Sequence, residues 1–208
     1  LLKNNKCKKI LFAGSIKKPN FLKLKLDLKG VYYIPKIIKS AKLGDAAILK
    51  QIINIFEKEK IKTISSNTFT PELSLSRGIY TKYKPNSKDK LDIDNAIKAL
   101  NKSGNYSSSQ AAVSIDNKVV TLEDKEGTKA MLKKIKKRSK IVKGVLVKFP
   151  KKKQDLRIDL PTVGLYTLKQ CKESGLRGVV LKHKKNIFLD KKRCLQFANK
   201  NKLFILVK

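Results

Sequence analysis

The chain has 208 residues, with 50 Lys+Arg against 16 Asp+Glu and a formal charge of +34. At roughly 100–200 residues per domain, that length allows one large domain or two small ones, and a 41% hydrophobic share supports a packed core, which excludes a disordered basic tail. No apolar run approaches the ~18 residues of a membrane-spanning helix and no signal-peptide segment opens the chain, so a soluble, cytosolic protein is expected.

In chain order, residues 10–13 read as a short strand ending at Gly14, and residues 35–42 as a helix with Pro35 at its first position. After Gly44-Asp45, apolar residues Ala47, Ile48, Ile52, Ile55 and Phe56 recur at helical spacing behind an Asp45 cap, and residues 61–64 return to a strand. This alternation is that of a layered α/β domain. The segment 80–92 is polar and Lys-rich, and it supplies the expected linker at residues 84–92 between domains at 1–83 and 93–208. A short helix is expected at 92–100, then strands at 111–115 and 119–122 around an Asp116-Asn117-Lys118 turn. Thr128 is expected to cap a basic helix running to residue 138. A buried strand at 144–149, a helix at 165–173, a strand pair at 179–182 and 187–189, a helix capped by Asp190 and a strand at 203–207 complete the chain.

The three cysteines, Cys7, Cys171 and Cys194, are odd in number and widely spaced, which excludes a disulfide scaffold or a zinc ribbon; they read as small apolar fillers. The one histidine, His183, has no neighbours that build a Ser-His-Asp triad or an H-E-x-x-H helix, and it reads as a surface residue. Chemistry is left to carboxylates, Lys, Arg, Thr, backbone N–H groups and a hard metal ion.

The charge suggests a nucleic-acid footprint, and a basic nucleic-acid-binding protein without enzymatic activity is the alternative reading. Two features oppose it. Five of the basic residues are Arg and 45 are Lys, although Arg is the better phosphate and base reader. The charge is also spread, with 23 basic and 8 acidic residues up to residue 104 and 27 and 8 beyond it, or +15 and +19. Codon bias in an AT-rich genome explains such a distribution, and no nucleic-acid partner is expected.

The densest polar signal is Gln154-Asp155-Leu156-Arg157-Ile158-Asp159-Leu160-Pro161-Thr162-Val163-Gly164. Charged and apolar residues alternate, so an extended segment would place Asp155, Arg157 and Asp159 on one face, with the carboxylates about four rises of ~3.3 Å apart. Such a face can hold a hard cation beside a phosphate oxygen, and the helix start that follows Gly164 is an anion site. An edge strand with a surface ion triplet weighs equally. A second cluster, Glu123-Asp124-Lys125-Glu126-Gly127-Thr128, places Glu126 before a Gly that permits close backbone approach; a solvated acidic turn with an ordinary cap explains it somewhat better. Lys148 and Lys151 stand out by place alone, and Gln110 more weakly.

Taken together, Phe12-Ala-Gly-Ser-Ile-Lys-Lys-Pro19, Gly44-Asp45, Gln110-Ala-Ala-Val113, Glu126-Gly-Thr128, Lys148-x-x-Lys151 and above all Gln154–Gly164 resemble the LpxI-type UDP-2,3-diacylglucosamine pyrophosphatases of the lipid A pathway. The resemblance implies an α/β protein of two domains: the remainder of an N-terminal Rossmann-like domain, truncated in this chain, and a complete C-terminal mixed α/β catalytic domain. It implies hydrolysis of UDP-2,3-diacylglucosamine to UMP and 2,3-diacylglucosamine 1-phosphate with Mg²⁺, in a cytoplasmic protein held peripherally at the inner membrane of a Gram-negative bacterium. On the expected sites, Asp155, Asp159 and Arg157 are catalytic, and Asp155, Asp159 and Glu126 hold the metal. Lys148, Lys151, Gln154, Thr162, Gly164, Gly127, Thr128 and Gln110 bind substrate. The pattern is broken at Lys129, Lys152, Ser107 to Ser109 and Ala46, where acidic residues, Pro or Gly are usual, so an inactive family member is a further alternative.

Overall fold

The computed structural model describes residues 2–14, 25–42, 45–102, 109–136, 143–151 and 154–208, in which ten strands and six helices are formed. Gly44, Ser107, Ser108 and Lys152 of the expected motifs lie outside the described residues. The chain divides into two compact units, Leu1–Phe69 with Gln154–Asp159, and Thr70–Lys153 with Leu160–Lys208.

In the first unit, β1 (Lys9–Leu11) and β2 (Lys62–Ile64) run parallel, with Lys9 opposite Lys62 and Leu11 opposite Ile64. Parallel neighbours need a crossover, which α1 (Leu28–Ala41) and α2 (Asp45–Lys58) supply. The first helix begins earlier than its Pro suggested, because Asp27 caps it by accepting the Gly30 N–H at 2.7 Å; Pro35 falls inside the helix. Ile53 and Ile61 are buried here, and Phe12 meets Phe56 edge-on at 5.8 Å.

The second unit is built on a six-stranded sheet of order β3-β10-β8-β6-β4-β5. Its centre, β6 (Val145–Lys148), β8 (Gly178–Leu181) and β10 (Phe204–Val207), is parallel; β3 (Gly78–Ile79) and the hairpin β4 (Ala111–Ile115) and β5 (Lys118–Leu122) add antiparallel edges. Both faces are covered, so the central strands are continuous apolar runs. Their alternate residues part cleanly. Val113, Leu146, Val179 and Ile205 join the core facing α4 (Gly127–Lys136), α5 (Leu165–Glu173) and α6 (Lys191–Lys200). Ala112, Val147, Val180 and Phe204 face Ile93 and Ala96 of α3 (Ser87–Lys102). A small parallel pair, β7 (Thr162–Val163) and β9 (Ile187–Phe188), lies apart from this sheet.

Three expectations are corrected here. Residues 84–92 enter α3 instead of forming a linker throughout, because Asn86 and Asp89 cap each other's backbone N–H, each at 2.9 Å, and Asp89 and Asp92 are buried. Asp92 then accepts the Ser114 hydroxyl at 2.6 Å and the Asn117 N–H at 2.8 Å, which fixes the hairpin turn where Asp116 and Asn117 have φ of 51° and 64°. The segments near 180 and 187 do not pair with each other: β8 lies between β6 and β10, and β9 pairs with β7. Asn186 turns the chain between them by accepting the Lys182 N–H at 2.8 Å. At α6, Asp190 precedes the helix in the left-handed region, with φ 50° and no side-chain cap. Among the described residues no helix is long and apolar enough to cross a membrane.

Candidate active site

In the second unit, β5 ends at Leu122, and the next residue, Glu123, stays beside β4 with only 9% of it exposed. Its N–H donates to the Ala111 carbonyl at 2.8 Å, and its Oε2 accepts the Gln110 N–H at 3.2 Å. Gly127 takes φ of 81°, a left-handed turn that brings Thr128 back toward Glu123. Thr128 is therefore inside α4 instead of capping it, and its hydroxyl donates to Glu123 Oε1. Lys148, the last residue of β6 and also 9% exposed, donates from Nζ to Thr128 Oγ1 at 2.8 Å. Carboxylate, hydroxyl and ammonium thus form one chain of hydrogen bonds in a nearly dry place. Behind it, buried Asn186 donates to the Lys148 and Pro161 carbonyls at 3.0 and 3.3 Å and so holds the end of β6.

The segment 154–159 of the first unit is a turn, which corrects the expected strand. Asp155 folds it. Its Oδ1 accepts the Arg157 N–H at 3.0 Å, and its carbonyl accepts the N–H groups of Ile158 and Asp159 at 3.2 and 3.1 Å. The local bonds outcompete the strand that the alternating pattern suggested. Arg157 grips the same carboxylate from Nε and NH2, the latter at 2.7 Å, and its NH1 reaches Glu57 of α2 at 2.7 Å. This fork holds Asp155 below the usual carboxylate range and raises the guanidinium's own pKa further, Asp155 acting before Glu57. Gln154 donates its amide to the Asp159 carbonyl at 2.7 Å and closes the turn.

The expected metal ligands do not gather. Among the described residues no three His, Cys, Asp or Glu side chains lie close enough to hold a metal ion. Asp155 is committed to Arg157, and Glu126 lies in solvent, paired with Lys134 at 2.8 Å. The carboxylates as placed do not fit a preformed Mg²⁺ site. Thr162 is exposed on β7, where its hydroxyl donates to the Leu160 carbonyl at 3.3 Å; Gly164 precedes α5, and Lys151 is half-buried. Burial pushes the thiols of Cys171 and Cys194 up to about 12 and about 11, so they serve the core as expected.

Within the second unit the structure brings Thr128, Lys148, Gly127 and Gln110 together, and within the first unit it brings Asp155, Arg157 and Gln154 together. The residue that sequence reasoning passed over is Glu123. It reads as part of an acidic turn, and the signal that could have found it is its position directly after a strand, three residues before Glu126. Residues 1–73 match the family model of the LpxI N-terminal domain, and residues 76–206 that of the LpxI C-terminal domain. The chain is also similar to the UDP-2,3-diacylglucosamine pyrophosphatase LpxI of Caulobacter vibrioides, at 31% identity over 207 residues, an overlap covering 96% of this chain and 74% of the relative. With both domain models matched in order and the long motif of residues 154–164 in place, the chain belongs to the LpxI family.

Proposed function

We propose that this protein hydrolyses the pyrophosphate bond of UDP-2,3-diacylglucosamine, releasing UMP and 2,3-diacylglucosamine 1-phosphate. The observation that carries the reading is the Lys148–Thr128–Glu123 chain, a cation aimed through a half-buried hydroxyl by a buried carboxylate in a domain whose relative bears that activity in its name. The reaction places a water oxygen on one phosphorus while the bridging P–O bond breaks. Its barrier lies in charge on the phosphate oxygens, which fixed cations offset. Lys148 supplies one such cation and Arg157 another; Lys151 and the N–H groups after Thr162 bind remaining charge. Asp155, kept ionised, sets the direction of Arg157, and Asp159 orients the attacking water.

Mg²⁺ is expected to be required as well, and Asp155 would first have to yield Arg157 to serve as one of its ligands. Release of UMP from the substrate, assayed with EDTA and after Mg²⁺ is restored, tests both parts: no UMP in either condition refutes the activity, and full activity in EDTA refutes the metal.

The reading also places the protein at a bilayer, because the substrate is acylated. α1 supports this. Leu28, Val31, Tyr32 and Ile38 are exposed at helical spacing, at 91%, 59%, 60% and 39%, beside exposed Lys25, Lys29 and Lys39. An apolar stripe flanked by lysines suits an anionic lipid surface, at roughly 1 kcal/mol per nearby basic residue. Sedimentation with anionic but not with zwitterionic vesicles is the expected result, and loss of that difference in Val31→Asp would assign it to this helix.

A further inference from the structure

We propose that Glu123 is a positioning residue for the hydrolysis: acting through the Thr128 hydroxyl, it fixes the Lys148 ammonium where it meets the substrate's diphosphate. The inference rests on the function proposed above and deepens it.

A threonine hydroxyl has one proton to give. Here that proton goes to Glu123, so the oxygen's lone pairs are left for the Lys148 ammonium, which donates at 2.8 Å. The carboxylate thereby sets the polarity of the whole chain. It is itself immobile, because Gln110 N–H holds its other oxygen at 3.2 Å, the Ser109 hydroxyl donates to its carbonyl at 2.6 Å, and its N–H is bound to Ala111 on β4. A Cβ on Gly127 would stand 4.0 Å from Glu123 Oε1, and the φ of 81° there is what turns Thr128 toward the carboxylate. At the other end, the Lys148 backbone is paired with both β4 and β8 and held by Asn186. Only the four-carbon stem of the lysine is left to be aimed, and the Glu123–Thr128 pair aims it. With both charged residues 9% exposed, the carboxylate also offsets the ammonium in a place that water screens poorly.

Competitive inhibition by UDP and by uridine separates aiming from folding, because an inhibition constant does not depend on how much of the enzyme is active. For Glu123→Gln and for Thr128→Val, the UDP constant rises about tenfold and kcat/KM falls about 10–100-fold, while the uridine constant stays put. Thr128→Ser restores both to near wild type. The double variant Glu123→Gln/Thr128→Val is no worse than either single, since both cut one chain. Should Glu123→Gln not fold, the Thr128 pair decides alone. UDP and uridine constants that move together, or unchanged UDP binding in Thr128→Val, overturn the inference while UMP release by the wild type keeps the function. Absence of UMP release by the wild type overturns both.

Discussion

Asp155 with Arg157 and Glu123 with Lys148 are both carboxylate–cation pairs, yet the side chains of the first are 28% and 40% exposed whereas the residues of the second are each 9% exposed. The first pair touches directly and sits on a six-residue turn; the second acts through the Thr128 hydroxyl on α4, which links the residue after β5 to the last residue of β6. Exposed ion pairs are screened and contribute ~0–1 kcal/mol, so the worth of the first lies in where it points a guanidinium. Breaking a buried pair leaves a charge without water or partner, so the second also holds the fold. Equal-looking contacts therefore divide the work: one unit carries its charge on a locally folded turn, the other carries it in the core.

That division is open to attack, and the largest expected effect is on Asp155. Asp155→Ala should lower the rate of UMP release by about 10²–10³-fold and leave the melting midpoint nearly unchanged. A large loss of stability would erase the contrast between the two pairs. Next, Glu123→Ala should destabilise the second unit by about 3 kcal/mol, read from the urea midpoint; a shift no larger than that of Asp155→Ala would mean that burial does not matter here.

The first unit supplies a pH test. Glu59 accepts Lys29 at 2.6 Å, Lys3 at 2.5 Å and the Tyr33 hydroxyl at 3.0 Å, which hold its carboxyl down to about 2 from an ordinary 4.5. A depressed folded pKa gives stability that is complete above pH 4.5 and drains as pH falls toward 2. Amide exchange of α1 and α2 should therefore quicken over that window more in the wild type than in Glu59→Gln. The smallest effect is expected of Glu126→Gln, which removes a solvent-facing carboxylate paired with Lys134: activity within about twofold of wild type, as for other surface substitutions. A collapse of activity in this variant, reversed by excess Mg²⁺, would return Glu126 to the role of metal ligand.

Much of the second unit was legible because its strands are apolar runs between clear turn signals. Residues 111–115 and 165–173 form the strand and helix expected, to the residue, and the Asp116-Asn117 turn follows from residues that tolerate positive φ. The failures have a common cause: a local hydrogen bond that pattern alone does not register. Asp27 starts α1 ahead of Pro35, Asn86 starts α3 inside the expected linker, and Asp155 folds a segment whose alternation imitates a strand. The site was legible by segment but not by residue. Thr128, Lys148 and Arg157, marked in the sequence as polar groups, are each drawn into hydrogen-bonded clusters, whereas Glu123 and Glu126 differ only in which side of the turn each occupies, and spacing does not record that.

The most direct test is to measure UMP released from UDP-2,3-diacylglucosamine by the wild type, Asp155→Ala and Lys148→Met under one set of conditions. Hydrolysis by the wild type with losses of at least about a hundredfold in both variants is the predicted result. Wild-type rates in either variant, or no UMP from the wild type, would contradict the account.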